Sequence, residues 1–220
     1  MAAYRRGDGE MKTEILKIKG DWEEVVNDCR HTVGKEDLSK EPSEAFKRSI
    51  LISEHSPIRA LIVRWKWASI KSWIATHWSR HKWECFIRTQ RADRTGKDRD
   101  ELPQSTLVAF RGEANAQQMI DTWRKRLCHM ASKETREYAE DFKKALWQYE
   151  PEVANVLVPN CVYRGGCPEI QTCGEWAKFI RFSAKHGVDV CRCSIENRYV
   201  MYNRYFNEQI KGGTNEPAEA

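Results

Sequence analysis

The sequence predicts one α/β domain, and three observations carry that expectation. A chain of 220 residues with 40% hydrophobic residues, 9 Trp, 7 Tyr and 7 Phe can bury a single large core. Residues 60–67 alternate apolar and basic with period two, while much of the remainder follows helical spacing. No internal repeat and no long Pro/Gly/Ser-rich linker divides the chain. The aromatic content excludes a wholly disordered protein. The lack of any long apolar run excludes a transmembrane helix.

Residues 1–10 (MAAYRRGDGE) are polar and Gly-containing, which predicts a disordered leader, with an ordered domain over 11–209. Lys12 to Ile18 reads as a strand. Asp21 is placed as an N-cap before Glu23 and Glu24, which predicts a helix, and Ser43 caps a second one through Ile52. Leu61, Val63, Trp65 and Trp67 against Arg64 and Lys66 predict a half-buried strand. Ile70, Trp73, Ile74, His77 and Trp78 then follow helical spacing, which predicts a helix to about residue 82. Residues 88–104 hold four Arg, one Lys, three Asp and one Glu with a Gly and a Pro, the composition of a long loop.

From Ala114 to Tyr149 the pattern predicts one long helix or two broken near Ser132. Pro151 opens a short helix through Leu157, and residues 159–168 form a turn-rich connector. Glu169 to Phe182 predicts another helix, stopped near Gly187, and Cys193 to Phe206 a last one before a disordered tail over 210–220.

Lys and Arg total 37 against 32 Asp and Glu, a formal charge of +5. That excess suits an anionic ligand and falls short of the basic stripe of a dedicated nucleic-acid binder. No N-terminal apolar segment marks the chain for secretion, so a cytoplasmic, reducing location is expected, with the 8 cysteines as thiols. Cys161, Cys167 and Cys173 are evenly spaced and Cys191 and Cys193 form a C-x-C pair, but neither matches the C-x2-C knuckle of structural zinc. Ordinary buried or half-buried thiols are therefore the leading expectation, with a zinc protein built on the C-terminal cysteines as the alternative.

The densest chemistry lies in residues 77–94, HWSRHKWECFIRTQRADR, with His77, Arg80, His81, Lys82, Arg88, Arg91 and Arg94. Fixed cations repel one another, so a cluster of them suits an anion, with Arg as the bidentate phosphate ligand and Lys as a point charge. The competing reading is a solvated face paired with Asp93, Asp98, Asp100 and Glu101. Cys85 lies four residues from His81, the spacing of a thiol and its base on a helix. Its apolar neighbours Phe86 and Ile87 favour a structural thiol. The indoles of Trp65, Trp67, Trp73 and Trp78 suit a core or subunit interface better than a base-stacking platform.

At this cluster the chain resembles the flavin-dependent thymidylate synthases. Trp78-Ser79-Arg80-His81-Lys82 resembles the start of that family's R-H-R-x-x-S-x-N-E-x-S-x-R-Y signature. Upstream, Glu54-His55-Ser56-Pro57 resembles its H-E-T-P element. Downstream, residues 152–159 resemble E-x-A-R-x-x-L-P, Tyr163-Arg164 resembles Y-T-R, and Gln171 to Ile180 resembles the helix carrying N-A-R. The motifs keep their order over roughly residues 12–206.

The resemblance implies an α+β domain with a mixed or antiparallel sheet packed by long helices, assembled as a homotetramer with active sites between subunits. It implies FAD reduced by NADPH, methylenetetrahydrofolate as one-carbon donor, and dUMP methylated at C5 to dTMP without a cysteine nucleophile. Carried over by position, Ser56, Arg80, His81, Lys82, Arg88, Gln171 and Cys173 would bind FAD. His77, Gln90, Arg91, Arg94 and Asn155 would bind the nucleotide, and Arg181 would activate the pyrimidine, with Ser183, Lys185 and Arg192 as alternatives. The chain departs from the family where N-E-x-S-x-R-Y becomes residues 87–94, and where Asn155 and Cys173 replace Arg. These departures leave open another acceptor, such as dCMP or a 5-substituted dUMP. They also leave open a non-catalytic protein on this fold that binds nucleotide or nucleic acid.

Overall fold

The computed structural model describes residues 13–212, with side chains through residue 209. The expected leader over 1–10, and residues 213–220 of the expected tail, lie outside the described residues. The described chain is an α+β domain whose single four-stranded sheet is antiparallel throughout, in the order β1-β2-β4-β3. Its strands are β1 (Glu14–Lys19), β2 (Ile62–Lys71), β3 (Glu84–Ile87) and β4 (Leu107–Asn115).

The long central pair sets the frame. Along β2, Val63, Trp65 and Trp67 point into the core with Arg64 and Lys66 on the other face, as their alternation dictates. The strand does not end at Trp67. A bulge between Trp67 and Ile70 inserts the extra residue that turns Ile70 back into the core, so the strand reaches Lys71 and α3 spans only Ser72–Ser79. The three-residue step from Trp67 to Ile70 thus mimics a helix in the sequence.

Strand β4, which pairs with both β2 and β3, is not foreseen by the pattern of its residues. Its inward set is Val108, Phe110, Gly112 and Ala114. Gly112 stands opposite Trp65, and a Cβ there would overlap the indole, so only glycine lets the ring lie across β4.

The other helices are α1 (Trp22–His31), α2 (Glu44–Ile52), α4 (Ala92–Thr95), α5 (Ala116–Arg126), α6 (Lys133–Leu146), α7 (Pro151–Val156), α8 (Asn160–Arg164), α9 (Glu175–Lys185) and α10 (Ile195–Gly212). The main helix packing against the strands comes from α3, α5 and α6, while α4 buries no residue. Asp21 and Ser43 cap α1 and α2 as their positions predict, each accepting a hydrogen bond from the backbone three residues on. Ser132 breaks the long helical stretch by capping α6. Asn115 and Gln118 close α5 in a reciprocal capping box.

Several expectations are corrected. The helical stretch expected from Ala114 begins only at Ala116, because Ala114 and Asn115 close β4, and the connector expected over 159–168 holds the single turn of α8. The loop over 88–104 is preceded by β3 and holds the short α4, which ends at Gly96 in the left-handed region. The helix expected from Glu169 begins only at Glu175, because Gly174 takes φ 80° and 165–173 form no helix. The last helix begins at Ile195 and runs through Gly212, past the expected boundary.

The core is an aromatic cluster. Trp65 meets Phe142 at 4.9 Å and Trp83 at 5.1 Å, Trp123 meets Phe142 at 4.3 Å, and Trp78 stacks on Trp83 at 5.8 Å. Each such pair adds about 0.5–1.5 kcal/mol beyond area burial. Indole N–H groups are tied off by Thr13, the Trp78 carbonyl and the Ala139 carbonyl for Trp67, Trp83 and Trp123. The Trp residues of the 60–78 stretch are therefore core, with Trp73 only partly buried.

Behind this core, buried Lys143 joins three helices by donating to the Ala154 and Leu157 carbonyls and to Asn203 Oδ1, at 2.6, 2.8 and 2.8 Å. No helix among the described residues is long and apolar enough to cross a membrane.

Candidate functional site

A cleft of about 690 Å³ opens where the Arg80–Lys82 turn meets one face of α5, from Gln117 to Lys125, and the single turn of α8. Each wall has a local cause. Arg80 is the C-cap of α3, so Arg80, His81 and Lys82 leave the helix as a turn before β3. The Lys82 carbonyl accepts from Gln118 Nε2, which ties that turn to the capping box of α5. Arg59 comes from a 3₁₀ turn (Ser56–Ala60) that lies against α5, and Arg164 from the end of α8.

The lining is strongly cationic. Arg59, Arg80, Lys82, Arg124, Lys125 and Arg164 face the cleft, and Asp121 is its sole lining carboxylate among the described residues. Asp121 is already engaged by Arg124 Nη1 at 3.6 Å and by Gln117 Nε2 at 3.2 Å. Arg124 is likewise committed: it ion-pairs with Glu54 and lies 3.5 Å over the Tyr163 ring. Arg59, Arg80, Lys82 and Lys125 have no carboxylate partner among the described residues. Like charges gathered without counterions raise the local potential, and an anion entering the cleft relieves it.

His81 sits among these cations without being one. Its Nε2 accepts from Arg126 Nε at 2.8 Å, and burial, Arg126 and Lys125 hold its pKa down to about 4. His77 is also held below the ordinary imidazole value, by burial and by Arg126 and Arg80.

Of the residues singled out from sequence, Arg80, His81 and Lys82 line this cleft. Ser56 is exposed on the turn that carries Arg59 but does not line it. His77 faces α6, with Nδ1 3.0 Å from Thr135 Oγ1. Arg88, Gln90, Arg91 and Arg94 lie past β3, outside the cleft. Arg91 is held by both Asp93 oxygens at 3.0 and 2.9 Å, and Arg94 lies 3.6 Å from the same carboxylate. For these two, the paired solvated face describes the geometry. The amide of Asn155 is engaged by Asn203 Nδ2 at 3.0 Å. Gln171 is exposed between α8 and α9, and Arg181 is exposed on α9. Ser183 is buried and donates to the Phe179 carbonyl, while Arg192 lies 3.8 Å from Asp189.

Glu54, Arg59, Arg124, Lys125 and Arg126 were not singled out from the sequence as site residues. The run Arg124-Lys125-Arg126 at a helix end was a signal available there.

The cysteines converge differently from their spacing. Cys128 joins Cys161, Cys167 and Cys173 around a small cavity of about 20 Å³, beside His129 and Glu175. All are free thiols, and burial with the neighbouring thiols pushes Cys161 up to about 12. Among the described residues no three His, Cys, Asp or Glu side chains are placed to hold a metal ion. Cys85 on β3 is also pushed up, by burial and Glu84, the environment of an unreactive thiol.

No protein-family model matches the chain, and no curated protein matches it. Among solved structures it is similar to a UMP/dUMP methylase, PolB from Streptomyces cacaoi, bound with 5-Br dUMP. The TM-score is 0.53 at 15% sequence identity, covering 66% of this chain and 93% of that one. At that identity the likeness is one of fold, and the α+β domain described above is shared with a nucleotide methylase.

Proposed function

We propose that this chain methylates a pyrimidine nucleotide, with dUMP going to dTMP as the leading reaction, in the manner of the flavin-dependent thymidylate synthases it resembles. One observation carries the reading: Arg80, His81 and Lys82, matched to the family signature from sequence, lie in the cation-lined cleft, on a fold shared with a UMP/dUMP methylase.

The cleft fits the diphosphate of FAD. Its volume is that of a cofactor site, and planar guanidinium and point-charge ammonium donors face it together. In this reading Arg80 and Lys82 hold phosphate oxygens, Arg59, Lys125 and Arg164 add to the field, and Tyr163 with Arg124 forms a flat wall. Bound there, a flavin would supply the hydride that completes the methyl group, with NADPH as reductant and methylenetetrahydrofolate as one-carbon donor. Gln90, Arg91, Arg94 and Arg181 lie outside this cleft, so in this reading the first three reach the nucleotide, and Arg181 its pyrimidine, from a second subunit. The homotetramer of the resembled family provides one.

The test is a visible absorption spectrum of protein mixed with FAD and desalted, followed by titration with dUMP, UMP and dCMP at the flavin bands. A retained flavin spectrum perturbed by one nucleotide supports the reading and names the acceptor. A retained spectrum blind to all three moves the acceptor elsewhere.

A second reading rests on the engaged amide of Asn155 and on the pairing of Arg91 and Arg94 with Asp93. It is a non-catalytic nucleotide- or nucleic-acid-binding protein on the same fold. Colourless protein with strongly salt-dependent binding of DNA or RNA is its signature.

A further inference from the structure

We infer that Arg126 is the positioning residue of the cleft: its guanidinium fixes His81 as the Nδ1–H tautomer, so His81 meets a bound anion as an uncharged hydrogen-bond donor. Its part toward a ligand rests on the reading above, whereas the tautomer stands on the geometry alone.

The geometry leaves one assignment. A guanidinium has donors and no acceptor, so an Arg126 Nε–H 2.8 Å from His81 Nε2 requires a lone pair on Nε2. The ring proton of neutral His81 is then on Nδ1, which has no partner among the described residues while the ring lines the cleft. Arg126 is itself fixed by a second bond, Nη2 to the His77 carbonyl at 2.9 Å, and lies over the Trp78 ring. The fork therefore spans the last turn of α3 and the turn that follows it, and rotation of His81 would break a charge-assisted bond.

The charged groups around His81 oppose its protonation. Arg126 and Lys125 face it from α5, Arg80 and Lys82 flank it in its own turn, and Arg59 and Arg164 stand across the cleft. Asp121 is the lining carboxylate and is taken up by Arg124 and Gln117. The rings of Trp78 and Trp83 pack against the imidazole and keep it half-buried. A ligand in this cleft thus meets fixed cations from arginine and lysine and one neutral N–H from His81. Arg126 acts on it only through that histidine.

The test is ring nitrogen and carbon NMR of His81 in the unliganded protein, assigned by its loss in His81→Gln, from about pH 5 to pH 8. The expected spectrum has Nδ1 protonated and Nε2 bare throughout, with no titration near the ordinary value of about 6.5. In Arg126→Met the same signals should titrate, with the midpoint raised by at least about one unit, a tenfold change in proton affinity. Because Met also removes the contact with Trp78, Arg126→Gln is the companion: it keeps an N–H donor without the charge. It should preserve the tautomer with an intermediate midpoint.

FAD retention gives the ligand arm. Arg126→Met should retain FAD more tightly at pH 5.5 than at pH 7.5 relative to wild type, as His81 gains charge. An Nε2–H tautomer in the wild type, or a wild-type midpoint near 6.5, overturns the inference. So does an Arg126→Met spectrum identical to wild type. Failure of all variants to bind FAD while the NMR result holds overturns the proposed function and not the tautomer.

Discussion

Glu54 pairs with Arg124 from a backbone in the left-handed region, at φ 54°, where the described chain holds no other non-glycine residue. Such a conformation costs roughly 1–2 kcal/mol for a residue with a Cβ, so something must hold it there. Glu54 Oε2 accepts from Gln117 at 2.7 Å while Oε1 takes the guanidinium, which in turn covers Tyr163. The carboxylate thereby links the segment after α2 to α5 and, through Tyr163, to α8. Both partners are mostly buried.

Replacing Glu54 by Ala leaves the half-enclosed Arg124 charge with only the exposed Asp121 carboxylate, 3.6 Å away, while keeping the backbone strain. The expected loss is about 2–4 kcal/mol, read as a fall in urea midpoint at unchanged m-value. Glu54→Gly removes the pair and the strain together, so it should be less destabilising than Ala. A Gly variant worse than Ala would mean that φ 54° carries no strain here.

The cleft's charge should be additive in its effect on an anion. Lys82→Ala and Arg80→Ala are each expected to weaken FAD retention by about tenfold or more, since a hydrogen bond to a charged group is worth roughly 1.5–3 kcal/mol. Arg91→Ala should leave FAD retention unchanged, because Arg91 lies outside the cleft and is paired with Asp93. Equilibrium dialysis at two salt concentrations separates these outcomes. Equal losses in all three variants would remove the cleft as the cofactor site.

Much of this was legible in the sequence, and the failures share a cause. The caps of α1 and α2 were readable because Asp21 and Ser43 act on backbone within three residues, and Ser132 was readable as the place where the long helical stretch could break. The Arg80-His81-Lys82 run was readable as a local charge cluster. β4 was not, because its inward set includes Gly112 and Ala114, whose small size answers rings on another strand. The bulge after Trp67 was hidden for the same reason: a pairing irregularity exists only between two strands. Lys125 and Arg126 join the site only through tertiary packing of α5 against the turn after α3.

Acid should destabilise the fold partly through histidine. His81 in the folded chain takes a proton only near pH 4, against about 6.5 for an ordinary imidazole. Between those values the unfolded chain binds more protons at this position, so stability rises with pH across the window and is lost as pH falls through it. His77 and His129 are shifted in the same direction, each chiefly by burial, and add to the trend. Carboxylates titrate in the same range, so the measurement is the difference between wild type and His81→Gln. Thermal unfolding from pH 7 to pH 4 should fall less steeply in the variant. Parallel curves would show that His81 contributes nothing to the acid limb.

The Trp65–Gly112 contact sets the tightest constraint on the core. Trp65 is fully buried and stands opposite Gly112 in the β2–β4 register, with the six-membered part of its indole where a Cβ would be. The ring cannot yield easily, because Trp67, Trp83, Trp123 and Phe142 surround it. Gly112→Ala should therefore cost about 2–3 kcal/mol or more by overpacking, although alanine is otherwise a conservative change. Trp65→Leu removes the obstructing ring and should cost several kcal/mol alone through the cavity it leaves. In the double variant the two losses should be less than additive by at least about 1 kcal/mol, since the new methyl occupies space the indole vacated. Urea unfolding of the four proteins completes the cycle. Strict additivity would show that the strain of Gly112→Ala is taken up by the β4 backbone and not by the ring.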